Sequence, residues 1–281
     1  MSATTIIAAE RVGYALPAGV HSVGAVHSVF SCAVNLEIEG EMWTLLASDC
    51  AEQPFGIRLP VRSFEAFAIR EGDGIHTRAG FVGVERAGGR LVVDCRAAPR
   101  WAPSPPDAVL PGFAARVALL SQAASARAWP SSRLMAHDAM RALLGESGAL
   151  DGVLTGIVGR GPGLTPAGDD VLVGILAVVA SPLAGEAGAR ATQAMRRALE
   201  GLVLRTTALS GHMLRQAARG LLGRMPHDLV GALAGGLAAD ELDCALRRIA
   251  STGATSGADI CMGVLEAARA FLRSGAYKAA A

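Results

Sequence analysis

Lysine is almost absent: the only one in 281 residues is Lys278, in a terminal segment that is expected to fray. A Walker-type phosphate loop needs a lysine after its glycines, and Schiff-base chemistry needs a desolvated one, so neither operates from the body of this chain. Any anion must be held by arginine, by backbone N–H groups or by metal. Cysteine is also scarce. Cys32, Cys50, Cys95, Cys244 and Cys261 are odd in number, far apart and without a CxxC pair, which excludes a disulfide framework and a zinc knuckle. They read as reduced core or near-core residues. The formal net charge is only +1, so no global field recruits nucleic acid or a membrane surface. No stretch reaches the roughly 18 apolar residues of a membrane span, and the opening MSATTIIAAERVGYAL lacks a basic region followed by a long apolar run. The expectation is a cytoplasmic chain with no membrane or nucleic-acid partner.

What is present is apolar: 51% of the residues are hydrophobic, enough for a large core, and the length suits two domains of ordinary size. Residues 1–96 read as β, because the runs 24–30, 32–38, 42–48, 56–60 and 90–95 are rich in Val, Ile, Phe and Leu and are bounded by turn residues. Glu39-Gly40-Glu41, Gly72-Asp73-Gly74 and Ala87-Gly88-Gly89 supply the glycines that tight turns require. The prolines of 97–111 bar helix and mark a linker. From there the apolar period becomes helical, with helices expected at 112–128, 131–145, 166–181, 187–222, 226–236, 239–250 and 256–274 and a kink near Ser210-Gly211. The fold class is therefore α+β: a small antiparallel β barrel or sandwich over 1–110, with the linker at its end, then a helical bundle over 111–281.

The segment 170–180 is apolar on every face, so its helix belongs at the centre of the bundle and opens inside the protein. Before it stands GRGPGLTPAGDD, residues 159–170. Thr165 suits an N-cap and Pro166 a first helical position, so the glycine run should end at exposed N–H groups that, with the helix dipole, attract an anion. Arg160 can supply the charge that lysine does not. Asp169 and Asp170, adjacent in the first turns, either hold a divalent metal such as Mg²⁺ or set one proton-transfer pKa. Burying such carboxylates without partners costs several kcal/mol, which argues for function there.

A related stretch, STGATSGADICMGVL, follows at 251–265. Both stretches read Gly-x-Thr-x-x-x-Asp (Gly163, Thr165, Asp169; Gly253, Thr255, Asp259). Both continue Asp-x-x-x-Gly-[IV]-Leu from Asp170 or Asp259, with a one-residue slip between the halves. The expectation is a pseudo-repeat whose two helices pack side by side, approaching closely at Gly174 and Gly263, so that both loops face one pocket. The bland alternative is that Ser256-x-x-Asp259 is only a capping box. Arg205 and Ser210 are within reach of such a pocket, although Thr206 and Ser210 also fit a plain polar seam between helices. His137, His212 and His227 read as surface or capping histidines, and His21 and His27 lie in the β part.

GxGxGLTPxGDDxLxG from Gly159 to Gly174, STGxTSGxDxxxG from Ser251 to Gly263, and residues 26–46 together resemble the AllH-like family over most of the chain. Its namesake is a subunit associated with oxamate carbamoyltransferase, which interconverts oxalurate and phosphate with oxamate and carbamoyl phosphate in allantoin breakdown. The resemblance implies a carbamoyltransferase-type subunit that works with other subunits and binds a small anionic substrate. On that view Arg160, Gly161, Gly163, Thr165, Gly168, Thr255, Ser256 and Ser210 bind substrate. Asp169, Asp170 and Asp259 orient the carbamoyl group, the acceptor amine or a Mg²⁺, no cofactor being required. A helical metal-dependent hydrolase, similar in style to the ADP-ribosylglycohydrolases, and a non-catalytic scaffold or sensing subunit are the alternative readings.

Overall fold

The chain order of the strands and their order in the sheet together force the first part of the molecule to curl. The computed structural model describes residues 3–105, 108–124, 131–235, 239–250 and 253–275. Lys278, Ser251, Thr252 and the end of the expected 112–128 helix lie outside them. Among the described residues ten strands form one sheet: β1 (Ala3–Ala8), β2 (Arg11–Gly13), β3 (Ser22–Val29), β4 (Ala33–Ile38), β5 (Glu41–Leu46), β6 (Gly56–Arg58), β7 (Gly74–Arg78), β8 (Phe81–Arg86), β9 (Gly89–Asp94) and β10 (Arg100–Trp101). Their spatial order is β1-β9-β8-β7-β3-β4-β5-β6-β2-β10. In a flat sheet β1 and β2 would lie roughly 38 Å apart, eight strand spacings. They are joined by Ala9 and Glu10 alone, so the sheet curls strongly into a barrel-like shape.

The sheet is mixed rather than purely antiparallel: β1–β9, β5–β6 and β2–β10 run parallel. The hairpin glycines mark the antiparallel pairs, whereas the parallel ones join strands that are distant in sequence or linked by the open loop 47–55. Side chains alternate inward along β3 and β4, and Val34, Leu36, Leu45, Ile57, Ile75, Val84, Leu91 and Val93 make the barrel core. Glu52, buried at 3% exposure, is answered by Arg11 at 3.0 Å and Arg58 at 2.7 Å. The start of the expected linker is in fact strand. Trp101 is buried edge-on against Tyr14, and the Arg100 guanidinium donates to the carbonyls of Gly13 and Leu16. No α-helix interrupts residues 3–105 among the described residues.

The chain divides between Pro103 and Ser104 into two compact units. Val109 and Leu110, at the end of the proline-rich stretch, already belong to the helical one, through burial of Val109 and a Leu110 N–H bond to Ala234. Its helices are α1 (Phe113–Ala124), α2 (Ser132–Leu143), α3 (Leu150–Thr155), α4 (Ala167–Val179), α5 (Gly185–Leu199), α6 (Ala208–Ala217), α7 (Arg224–Ala234), α8 (Ala239–Ala250) and α9 (Ser256–Ser274). Every residue of α4 is buried, as its all-round apolarity requires.

Two expectations need correction. The helix expected at 187–222 is two helices separated by a turn of 3₁₀ at Leu202–Arg205. The break falls where Thr206 is extended and Thr207 caps α6 by accepting from the Ser210 N–H, not at Ser210-Gly211. Gly211 sits inside α6 because the preceding turn crosses it: a β-carbon there would lie 2.5 Å from the Val203 carbonyl oxygen. Helix α3 was not expected. No helix of the described residues is long and apolar enough to cross a membrane.

Candidate functional site

Gly174 and Gly263 bring α4 and α9 into backbone contact. A β-carbon on Gly174 would sit 2.1 Å from the Ile260 carbonyl oxygen, and one on Gly263 would sit 2.0 Å from that of Val171. Each glycine thus faces the residue three places before the other, a pseudo-twofold arrangement. At the start of the helices Thr165 Oγ1 and Ser256 Oγ meet at 2.9 Å. Contacts at the start and midway along, in the same order on each helix, mean that the helices run parallel with their N-termini together. The two loops therefore converge as their sequences suggest. The helix pairing also resolves the one-residue slip: Gly174 matches Gly263, so Asp170, not Asp169, is the counterpart of Asp259.

The caps differ from expectation. Pro166, extended, occupies the N-cap of α4, and Thr165 stands one residue outside, free to reach Ser256. Proline's fixed φ and missing N–H suit either position. At α9 the N-cap is Thr255 and no side chain caps the helix, so Ser256 and Asp259 do not form a capping box. The first turn of α4 is also less open than a bare helix start. Gly168 N–H donates to the Arg160 carbonyl at 2.9 Å, and Asp169 and Asp170 N–H both donate to that of Pro166. The loop folds tightly over the helix end. Gly161, at φ +121°, passes where a β-carbon would be 2.7 Å from the Ala167 nitrogen, and Gly168 lies against the Ile157 carbonyl, where a β-carbon would be 2.1 Å away. Arg160, Gly161, Gly163 and Leu164 remain exposed.

The three carboxylates are all buried, at 1, 2 and 0% exposure for Asp169, Asp170 and Asp259, but each faces a different neighbour. Asp169 accepts from the Gly159 N–H at 2.8 Å, from Ser210 Oγ at 2.6 Å and from the Thr206 hydroxyl. It ties the glycine loop to the start of α6. Thr207 adds a second tie, donating to the Leu164 carbonyl at 2.5 Å. The polar seam expected at Thr206 and Ser210 is real, and its purpose is to satisfy Asp169. Asp259 accepts from Ser132 Oγ at 2.6 Å, which docks the start of α2 on the start of α9. Ser132 and Thr207 carry no signal in the sequence beyond being small hydroxyl residues near helix starts.

Asp170 differs from Asp169. Its Oδ2 is buried without a hydrogen-bond partner. Burial above all, then the charges of Asp259 and Asp169, push its carboxyl up to about 8, against the opposing pull of the Ser256 and Thr165 hydroxyls. Around neutral pH it holds a proton and is both a donor and an acceptor. Among the described residues no three His, Cys, Asp or Glu side chains converge on a point where a metal ion would sit. Of the histidines, His212 is a correction: it is buried at 4% exposure beside Gln216 rather than on the surface. His137 is exposed beside Glu266, and His21 and His27 lie in the β unit.

A barrel unit joined to a helical unit that pairs two similar helix openings defines the class. Residues 157–268, which contain both openings, α4 to α8 and most of α9, match the model of the oxamate carbamoyltransferase subunit AllH. Residues 5–100, the barrel, match the AllH family N-terminal domain. The two matches cover most of the chain, and it belongs to the AllH family. No curated protein and no solved structure matches it.

Proposed function

We propose that this chain is a carbamoyltransferase-type subunit that handles a small anion where the 159–166 loop meets the start of α9, with Asp170 as the proton-carrying group. Family membership supports the enzyme class. The observation that carries the assignment of the site is Asp170 itself: a buried carboxyl whose Oδ2 has no hydrogen-bond partner and which is pushed up to about 8, where Thr165 and Ser256 join the two repeated loops.

In this reading Arg160 and the N–H groups of the exposed loop hold the phosphate. The paired positive ends of parallel α4 and α9 add a favourable field for negative charge. In the direction from oxalurate and phosphate, a phosphate oxygen attacks the carbamoyl carbon, the C–N bond breaks, and the departing oxamate nitrogen takes a proton. A carboxyl that stays protonated to about pH 8 supplies it. In the opposite direction the same group, ionised, accepts a proton from the attacking amine. Asp169, which accepts from Gly159, Thr206 and Ser210, and Asp259, which accepts from Ser132, hold the loops in place.

The test combines ligand stabilisation and turnover. Phosphate or carbamoyl phosphate should raise the melting temperature by mass action. Arg160→Ala should weaken that binding roughly ten- to a hundredfold, the loss of one charge-assisted bond of about 1.5–3 kcal/mol, while leaving the apo melting temperature unchanged because Arg160 is exposed. Asp170→Asn should keep phosphate binding and abolish turnover in the presence of the other subunits. Phosphate stabilisation that survives Arg160→Ala undiminished places the anion elsewhere.

A further inference from the structure

Two of the five cysteines, far apart in sequence, are brought together on the barrel. The β4–β5 ladder ends with Ala33 opposite Leu46, and the Ala47 N–H donates to the Cys32 carbonyl at 2.9 Å, continuing the pairing by one step. A turn then folds the chain back, with the Cys50 N–H bonded to the Ala47 carbonyl at 3.0 Å. That turn aims the Cys50 thiol at the same Cys32 carbonyl, 3.3 Å away, and against the Cys32 thiol. Cys32 is exposed and Cys50 half-buried. An exposed thiol with a second, sheltered thiol beside it is the arrangement of an attacking and a resolving cysteine.

We propose that Cys32 and Cys50 are an oxidation site: a hydroperoxide converts the dithiol to a disulfide that staples the β3–β4 turn to the end of β5. The step balances without any other reagent. The Cys32 sulfur attacks the terminal peroxide oxygen, the O–O bond breaks, and the peroxide leaves as an alcohol or water. The Cys32 sulfenic acid then condenses with the Cys50 thiol, forming the S–S bond and releasing water. Two thiols have lost two electrons and the peroxide has gained them. The reduced state is the resting one: burial, with the neighbouring Cys32, pushes the Cys50 thiol up to about 11, which keeps it a thiol donating to the Cys32 carbonyl until a sulfenic acid appears beside it. Cys95 and Cys261, pushed up to about 12 chiefly by burial, are inert by comparison.

Full-length protein exposed to hydrogen peroxide, quenched, alkylated and digested without reductant provides the test by peptide mass mapping. The expected product joins the Cys32 and Cys50 peptides, is two hydrogens lighter than the reduced pair, and separates on adding dithiothreitol. The oxidised barrel should melt at a higher temperature, and reduction should reverse the rise. Cys50→Ser should leave Cys32 with no resolving partner, so sulfinic acid accumulates there, or a mixed disulfide when glutathione is present. A wild-type protein in which Cys32 stays alkylatable, or passes to sulfinic acid with no Cys32–Cys50 link, overturns the proposal.

Discussion

Adding one methyl group at Gly174 tests whether α4 and α9 are held in backbone contact. The new carbon would lie 2.1 Å from the Ile260 carbonyl oxygen, 2.9 Å from the Val264 nitrogen and 3.0 Å from the Gly263 α-carbon, all backbone atoms that no rotamer change can move. Ordinary contact begins near 3.4 Å, so the helices must part by on the order of 1 Å. Overpacking of this kind costs up to about 3 kcal/mol. Alanine's better helix propensity returns about 1 kcal/mol, leaving a net loss of about 2 kcal/mol. For a unit of this size that lowers the melting temperature by roughly 4–8 °C, read from the helical circular-dichroism signal. Gly263→Ala should behave alike. The double variant should cost less than the sum, because one separation of the helices accommodates both methyls. Gly231→Ala in α7 is the control: nothing lies within 4 Å of the added carbon, so it should stabilise by about 0.5–1 kcal/mol. A Gly174→Ala protein as stable as the Gly231→Ala one would refute the close crossing, and with it the convergence of the two loops.

Asp170→Asn should be stabilising in a pH-dependent way. The folded carboxyl, at about 8, lies above its unfolded value near 4, so between those pH values the folded state binds the extra proton and stability falls as pH rises. Above about pH 8 the loss is complete. The amide removes it, so the gain in melting temperature should be absent near pH 4, grow to about pH 8 and then level off; a gain independent of pH would contradict the raised pKa. Ser210→Ala should cost about 1–3 kcal/mol in urea unfolding by leaving buried Asp169 short of a donor, and should couple with a Thr206→Val change in a double-mutant cycle. In the barrel, Glu52→Ala should cost about 3–5 kcal/mol, because Arg11 and Arg58 lose the buried carboxylate that answers both, and a Glu52→Ala barrel of unchanged stability would show the pair to be idle.

The division of labour between sequence and fold follows from the range over which each signal acts. Local rules sufficed for the helical ends of α8 and α9, for the hairpin glycines and for the burial of α4, because capping, positive φ and apolar periodicity are properties of a few neighbouring residues. The repeat at 163–170 and 253–259 made the meeting of the two loops legible too, since matching openings with a glycine at the same depth can pack symmetrically. Pairing over long sequence distances was not legible. That β1 lies beside β9, that β5 and β6 run parallel, and that Arg100–Trp101 is strand rather than linker depend on how the whole sheet curls, which no window of the sequence contains. The same holds within the candidate site. Asp169 and Asp170 are adjacent and chemically identical, yet successive helical positions point about 100° apart. The fold sends one into three donors from the α6 side and the loop, and leaves the other with an unpartnered oxygen beside Asp259. That Asp170 keeps its proton was decided by its neighbours, and they arrive only with the tertiary structure.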